Sequence, residues 1–213
     1  MYTDITGIIL AGGKSTRMGA NKSFLKIGEQ TIIERITYLM KSVITNVIII
    51  SNTPDEYTFL NLPIFEDVYK GKGPLAGIHS GLKNSDTQKD FIISCDIPLM
   101  NKEMIEFIVD YKTDKSIAVC KANGFLQPFA GLYNKSLVNE IENIFSDKSE
   151  HINHTNENER KQCKVMSFIK SSEAEIINPE GSIGYTENTF LNINTPKDFE
   201  KLMGIINHHQ NKM

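Results

Sequence analysis

A glycine-rich stretch at residues 8–22, IILAGGKSTRMGANK, combines residue types that bind polyanions. Gly12 and Gly13 follow a short apolar run, so the backbone there can approach a ligand closely and present its N–H groups to it. The rest of the stretch supplies positive charge for a phosphate chain, from Lys14, Arg17 and Lys22. The spacing is neither GxxxxGK[ST] nor GxGxxG. We expect a nucleoside triphosphate to bind here; the alternative is an ordinary glycine turn with a solvated basic tail.

Two aspartates follow predicted strands and are candidates for the metal chemistry that a triphosphate needs. Asp96 comes directly after the apolar run at residues 91–94, and Asp67 lies in an extended segment at residues 64–68. Mg²⁺ prefers one or two carboxylates together with phosphate oxygens and water, so Asp96 with help from the substrate is sufficient. The alternative for Asp96 is a turn-capping role before Pro98.

The elements that must position these residues begin with a strand at residues 8–10, a helix at 31–43 and a strand at 47–51. Ile32, Ile33 and Ile36 have helical spacing, and Thr31 with Glu34 forms a capping-box pattern. A strand, a helix and a second strand in this order predict a parallel pair with a right-handed crossover. Ligands of such sheets bind at the carboxyl ends of the strands, where the glycine-rich stretch lies.

The remaining pattern predicts a three-layer, doubly wound α/β fold with a mostly parallel sheet, in one domain over residues 1–213. We expect a polar surface loop at residues 146–164, leading into a helix that ends near Lys170. A terminal helix follows Thr195, where Pro196 and Asp198 match an N-terminal capping pattern. The other predicted elements are helices at 55–62, 75–82, 102–111 and 137–145, and strands at 91–94, 116–120, 127–133, 175–178 and 188–194.

Composition limits the classes of partner. Net charge is −3, with 40% hydrophobic and 23% charged residues, so no global basic field attracts the chain to nucleic acid or to an anionic membrane. No basic segment or long apolar segment follows Met1, from which we expect a cytoplasmic protein without a membrane span. Cys95, Cys120 and Cys163 have no CxxC spacing, so neither a disulfide framework nor a zinc site is indicated.

The histidines and Cys95 are weaker candidates for chemistry. His151, His154, His208 and His209 lie in polar segments, where we expect solvated side chains rather than metal ligands. We expect His79 at the surface or behind the site. Cys95 is expected to be a small buried residue, because no histidine is placed to activate it.

Together these residues make the sequence resemble the molybdenum cofactor guanylyltransferases, the MobA family. The matching motifs are LAGGKSTRMG at residues 10–19 with Lys22, GPLAGI at 73–78, CDIP at 95–98, the pair Gln127 and Pro128, and NINTP at 192–196. They occur in family order over most of the chain. Cytidylyltransferases acting on molybdopterin or methylerythritol phosphate share the first loop and the aspartate but usually lack GPLAG, which favours guanylyl transfer.

The resemblance implies a nucleotide-diphospho-sugar-transferase-like (Rossmann-like) fold and transfer of GMP from GTP to molybdopterin with Mg²⁺. About residues 1–100 would hold the nucleotide and Mg²⁺, and the C-terminal part would face the pterin. It also implies a monomer, with apo-molybdoenzymes or cofactor chaperones as further partners. Catalytic roles would fall to Lys22, Asp96 and Arg17, with Asp96 as the metal ligand. GTP would be bound by Leu10, Ala11, Gly12, Gly13, Lys14, Lys22, Asn52, Asp67, Gly77 and Asp96, and the pterin by Gln127, Asn192 and Asn194.

Two alternatives remain open at this stage. One is a transferase for another base or acceptor, such as CTP with molybdopterin or a sugar phosphate. The other is a non-enzymatic cofactor carrier or nucleotide sensor, against which the presence of both Lys22 and Asp96 speaks. The sequence departs from the resemblance at residues 146–164, which are unusually polar, so pterin-binding roles for Arg160 or Lys161 stay unassigned.

Overall fold

The computed structural model describes residues 1–12, 21–146 and 157–210, which contain a mixed sheet between two layers of helices. The strands are β1 (Tyr2–Leu10), β2 (Lys26–Ile27), β3 (Gln30–Thr31), β4 (Ile44–Ile50), β5 (Ile64–Phe65), β6 (Lys89–Ser94), β7 (Ile117–Ala122), β8 (Phe125–Asn134) and β9 (Glu175–Ile177). The helices are α1 (Ile32–Val43), α2 (Pro74–Asn84), α3 (Lys102–Val109), α4 (Leu137–Ser146), α5 (Glu157–Ser171) and α6 (Pro196–Gln210), with 3₁₀ helices at Lys22–Phe24 and Pro54–Leu60.

The main sheet has the strand order β5-β4-β1-β6-β8-β7-β9, and β2 pairs with β3 separately. Strand β1 is parallel to both neighbours, and β8 alone runs antiparallel to the strands beside it. This confirms the predicted three-layer fold with a mostly parallel sheet. Strands β1, β4, β5 and β6 end at one edge of the sheet, with Leu10 in register with Ile50 and Ser94. We call this the site edge.

The central strands are apolar without interruption because helices cover both of their faces. Ile8 and Ile9 are both fully buried, and their alternation places them in the two separate cores. Helices α1, α3 and α6 pack with Ile9, while α2, α4 and α5 pack with Ile8. Helix α2 approaches β1 so closely that a Cβ atom on Gly81 would lie 2.6 Å from Ile8 Cγ2.

Helix α1 begins as predicted. The Thr31 hydroxyl accepts a hydrogen bond from Glu34 N at 3.3 Å, and the Glu34 carboxylate accepts from Thr31 N at 2.7 Å. These two bonds satisfy backbone donors that the helix itself leaves unpaired. Within the described residues, none of the helices is both long enough and apolar enough to cross a membrane.

Two predicted elements are wrong. The loop predicted at residues 146–164 is helical from Glu157, because α5 continues backwards from its buried residues Val165, Phe168 and Ile169 through good helix formers. Residues 147–156 lie outside the described residues, and so do the side chains of His151, His154, Arg160, Lys161, Cys163 and His209.

The strand predicted at residues 188–194 is instead a turn followed by an open loop. Leu191 N donates to Asn188 O at 2.9 Å, and Ile193 N donates to Asp96 O rather than to a strand. Phe190 and Ile193 are both buried, and they anchor this loop against the end of β6.

Candidate nucleotide and metal site

Lys22 and Asp96 form an ion pair at the site edge. Lys22 Nζ lies 2.8 Å from Asp96 Oδ2, and only 17% and 12% of the two side chains are exposed. Asp96 is held there because Cys95 N continues the ladder of β6 by donating to Leu10 O at 3.2 Å, after which the chain turns. Two residues separated by 74 positions are thus brought together, as the sequence predicted for one nucleotide site.

The loop at residues 191–194 closes around this pair. With its amide nitrogen facing the carboxylate, Asn192 donates to both Asp96 oxygens, at 2.8 and 3.2 Å. Lys22 Nζ also donates to Ile193 O at 3.3 Å and to Asn194 Oδ1 at 3.4 Å. Asn192 and Asn194 are therefore hydrogen-bonded to the Lys22–Asp96 pair. Their contact with a pterin stays a prediction.

Asn52 and Asp67 form a second pair at the same edge, directly after the adjacent strands β4 and β5. Asn52 Nδ2 donates to Asp67 Oδ2 at 2.6 Å, and Asp67 N donates to Asn52 Oδ1 at 3.1 Å. Burial raises the pKa of the Asp67 carboxyl, while the Asn52 amide and the Lys70 charge act to lower it. The two side chains act as one rigid unit with polar atoms at the sheet edge.

Helix α2 and the end of β1 lie between these two pairs at the site edge. A Cβ atom on Gly77 would lie 3.4 Å from Leu10 Cδ2 and 3.7 Å from Asp67 Oδ1, so α2 is close to both residues. Ala11 is buried and its N–H donates to Ile50 O at 2.9 Å, whereas Gly12 is exposed. Gly13, Lys14 and Arg17 lie outside the described residues, so their predicted roles rest on the sequence.

Gln127 lies farther along the same edge. Because Ala130 is in register with Ile93, Gln127 extends past the carboxyl end of β6. Its side-chain amide donates within its own hairpin, to Phe125 O at 3.3 Å and Ala122 O at 3.5 Å. Its predicted contact with the pterin stays a prediction.

The surface was one of the two positions expected for His79, and the structure does not place it there. Its side chain is fully buried, with Nε2 3.0 Å from Glu142 Oε1 and the ring edge against Tyr69. Cys95 is buried as expected, and burial raises the pKa of its thiol to about 11, which keeps it protonated at neutral pH.

Three residues below the Lys22–Asp96 pair were not predicted from the sequence: Asn21, Ser23 and Tyr57. Asn21 caps the 3₁₀ helix that begins at Lys22, with its Oδ1 accepting from Ser23 N at 3.1 Å. Asparagine directly before a helix start is a usable signal for such a cap. No local signal marks Tyr57, which reaches the site only through the tertiary fold.

Comparisons with known proteins show the family to which the chain belongs. The family model described as the MobA-like NTP transferase domain matches residues 7–159. A probable molybdenum cofactor guanylyltransferase of Carboxydothermus hydrogenoformans is 35% identical over 206 residues, covering 95% of this chain and 96% of that protein. One from Clostridium perfringens is 36% identical over 198 residues, covering 92% and 94% of the two chains.

Solved structures share the fold at low sequence identity. Molybdopterin-guanine dinucleotide biosynthesis protein A of Archaeoglobus fulgidus superimposes with a TM-score of 0.72 at 18% identity, covering 96% of this chain and 100% of that one. Rv0371C of Mycobacterium tuberculosis, solved in complex with manganese, has a TM-score of 0.66 at 13% identity, covering 94% and 98%.

Proposed function

This chain belongs to the MobA-like NTP transferase family, and we propose that it transfers GMP from GTP to the phosphate of molybdopterin, with release of pyrophosphate. The observation that carries the proposal is the Lys22–Asp96 pair, at 2.8 Å, beside the glycine-rich segment. A cofactor carrier has no need of an aspartate placed for a metal ion. The relatives named guanylyltransferase favour GTP over CTP.

The nucleotide side is formed by the end of β1 and by the Asn52–Asp67 unit. Leu10, Ala11 and Gly12 line the guanine and ribose through backbone contacts, helped by the close approach of α2 at Gly77, and Gly13 also binds GTP. The reciprocal hydrogen bonds hold the Asn52–Asp67 unit rigid, so it can present polar atoms to the nucleotide without reorganising.

The residues around Asp96 fit a hard divalent cation, and we propose Mg²⁺. The available ligands are the Asp96 carboxylate and, beside Lys22, the side-chain oxygen of Asn194, and both are oxygen ligands of the kind that Mg²⁺ prefers. Among the described residues, no group of three acidic, histidine or cysteine side chains could form a complete protein cage, so phosphate oxygens would supply further ligands. When bound, the ion neutralises charge between the phosphates. Rv0371C, which shares the fold, was solved in complex with manganese, and this supports the use of a divalent ion.

The chain's own contribution to the reaction is to position groups and neutralise charge. The attacking phosphate of molybdopterin is already an anion, so no general base is required for an in-line displacement at the α-phosphorus. Lys22, placed beside Asp96, neutralises charge on the α-phosphate while the attacking oxygen bonds to phosphorus on one side and the pyrophosphate oxygen leaves on the other. Lys14 and Arg17 hold the β- and γ-phosphates, which leave as pyrophosphate.

The acceptor side lies towards the C-terminal half of the chain. Gln127, Asn192 and Asn194 are at the site edge and can contact the pterin, with the two asparagines joining acceptor and nucleotide sides at Asp96. We further propose a monomer that acts in the cytoplasm and delivers its product to apo-molybdoenzymes or cofactor chaperones.

A nucleotide panel tests the proposal. Purified protein is incubated with molybdopterin, Mg²⁺ and, in turn, GTP, CTP, ATP and UTP, and pyrophosphate release is followed together with the dinucleotide product. We expect turnover with GTP and at least about tenfold less with the other three nucleotides. Activity with CTP alone would establish the cytidylyl alternative, and binding of GTP without turnover would establish the sensor alternative.

A further inference from the structure

A buried polar cluster lies directly beneath the Lys22–Asp96 pair and consists of Asn21, Ser23, Tyr57 and Cys95. Tyr57 and Ser23 are 0% exposed and Cys95 is 2% exposed. Buried hydroxyls are stable only where they find hydrogen-bond partners. In this cluster the partners come from three separate segments of the chain.

The hydrogen bonds of the cluster form a chain in which each donor is followed by the next, from Asn21 through Tyr57 and Ser23 to Cys95. Asn21 Nδ2 donates to Tyr57 Oη at 3.0 Å, and the Tyr57 hydroxyl donates to Ser23 Oγ at 3.3 Å. The Ser23 proton is then available for Cys95 Sγ, which lies 3.1 Å away. Burial raises the pKa values of both Tyr57 and Cys95, so the cluster is uncharged at neutral pH.

The cluster is joined covalently to both members of the ion pair above it. Ser23 follows Lys22 in the chain, and Cys95 precedes Asp96. A hydrogen bond between Ser23 and Cys95 therefore fixes the distance between the two backbone segments that carry Lys22 and Asp96. Phe24 stacks on the Tyr57 ring with the ring centroids 5.3 Å apart, which adds a second restraint on the same 3₁₀ helix.

We propose that the Tyr57 hydroxyl is a positioning group for Lys22 and Asp96, acting through Ser23 and Cys95. The inference rests on the proposed function. Packing alone does not require this hydroxyl, since a phenylalanine ring would fill the same space and keep the stack on Phe24. Reacting groups lose rate steeply when displaced by fractions of an ångström, so releasing the Ser23–Cys95 contact lowers turnover.

The test compares Tyr57→Phe with Tyr133→Phe. Tyr133 is equally buried, and its hydroxyl donates to Pro128 O at 2.6 Å on the other side of the sheet. Both variants lose one buried hydroxyl, so we expect similar falls in Tm. Tyr57→Phe should lower kcat about tenfold with KM for GTP within about twofold, whereas Tyr133→Phe should leave kcat within about twofold.

A double-mutant cycle with Ser23→Ala shows whether the hydroxyl acts through Ser23. In the Ser23→Ala background, Tyr57→Phe should change kcat by less than about twofold, because the connection is already broken. A full tenfold effect in that background, or an equal loss of kcat in Tyr133→Phe, would overturn the inference. If Tyr57→Phe does not fold, Ser23→Ala alone decides, since it should lower kcat at unchanged KM.

Failure of the inference and failure of the proposed function give different results. An active wild-type enzyme whose kcat is insensitive to Tyr57→Phe overturns only the positioning role. A wild-type enzyme that transfers no nucleotide to molybdopterin overturns the proposed function and the positioning role with it.

Discussion

Asp96 differs from an ordinary surface carboxylate because its hydrogen-bond partners come from distant parts of the chain. Lys22 approaches from the glycine-rich segment, Asn192 from the loop before α6, and the Asp96 carbonyl accepts from Ile193 N at 2.9 Å. In the proposed mechanism, a carboxylate held by these fixed partners is preorganised to hold a divalent cation against the phosphates. We therefore expect its removal to affect chemistry more than folding.

The first prediction concerns this carboxylate. Asp96→Ala should reduce GMP transfer below detection at saturating Mg²⁺, because the proposed metal ligand and the partner of Lys22 are both lost. Asp86→Ala, which removes an exposed aspartate, serves as the control and should retain full activity. Steady-state kinetics of the purified variants measure the effect, and near-normal turnover by Asp96→Ala would refute the site assignment.

Single residues were predictable from sequence where their type, spacing and strand-end position agreed. Lys22, Asp67 and Asp96 were found in this way, and the structure places Lys22 against Asp96. The direct contact of Asn192 with Asp96 was not foreseen, because a loop that crosses a strand end leaves no periodic pattern. Tyr57 was missed since its role depends on a distance that only the folded chain sets.

At the scale of elements, α2 and β1 are joined by a contact that depends on glycine. Gly81 faces Ile8 at the centre of the sheet, and no side chain fits between them without displacement. This close approach also brings the first turn of α2 towards Leu10 and Asp67, where Gly77 lies. The packing of α2 thus sets the shape of the site edge between the Lys22–Asp96 and Asn52–Asp67 pairs.

The second prediction tests that packing. Gly81→Ala adds a Cβ atom 2.6 Å from Ile8 Cγ2 and should lower the free energy of unfolding by about 1–3 kcal/mol. Gly204→Ala in α6 is the matched control, since a Cβ atom there meets no other atom within 4 Å and alanine favours the helix by about 1 kcal/mol. Urea denaturation of both variants gives the comparison, and equal stabilities would contradict the close packing of α2.

Elements with strong local signals were predicted well, and elements held by tertiary contacts were not. Helix α1 has both an apolar stripe and a capping box, and it begins where these signals place it. Residues 188–194 form a short segment of strand length with three apolar residues, yet their backbone groups bond to Asp96 and within local turns. The polar first half of α5 shows no apolar periodicity, so the pattern that locates buried helices could not find it.

At the scale of the whole molecule, the two edges of the sheet have different electrostatic properties. At the site edge, Lys22 and Asp96 form an ion pair. At the opposite edge, Asp90 is buried at the start of β6, and its Oδ2 atom has no hydrogen-bond partner among the described residues. Burial raises the pKa of the Asp90 carboxyl to about 6, although hydrogen bonds from Ser85 and Thr87 and the charge of Lys135 act to lower it.

The third prediction is the pH dependence that follows. In the unfolded chain Asp90 titrates near pH 4, so between about pH 4 and 6 the folded protein holds a proton that the unfolded chain has lost. The free energy of unfolding therefore falls as pH rises through this window, by about 3 kcal/mol for a shift of about two units. Asp90→Asn keeps the oxygen that accepts from Ser85 and Thr87, and it removes the titration.

Chemical denaturation at several pH values measures this effect. The stability of Asp90→Asn relative to the wild type should increase by about 2–3 kcal/mol between pH 4 and pH 7. Curves of wild type and variant that run parallel over this range would show that Asp90 does not titrate as its burial requires.

The central claim is that the site edge joins the α-phosphate of GTP to molybdopterin, and position-specific labelling tests it most directly. Wild-type protein and Asp96→Ala are each incubated with molybdopterin, Mg²⁺ and GTP that is labelled with ³²P at either the α- or the γ-phosphate. We expect the wild type to transfer the α-label to the pterin and to release the γ-label as pyrophosphate, and we expect Asp96→Ala to transfer neither. Label from the γ-position in the pterin product, or α-label transfer by Asp96→Ala at the wild-type rate, would contradict it.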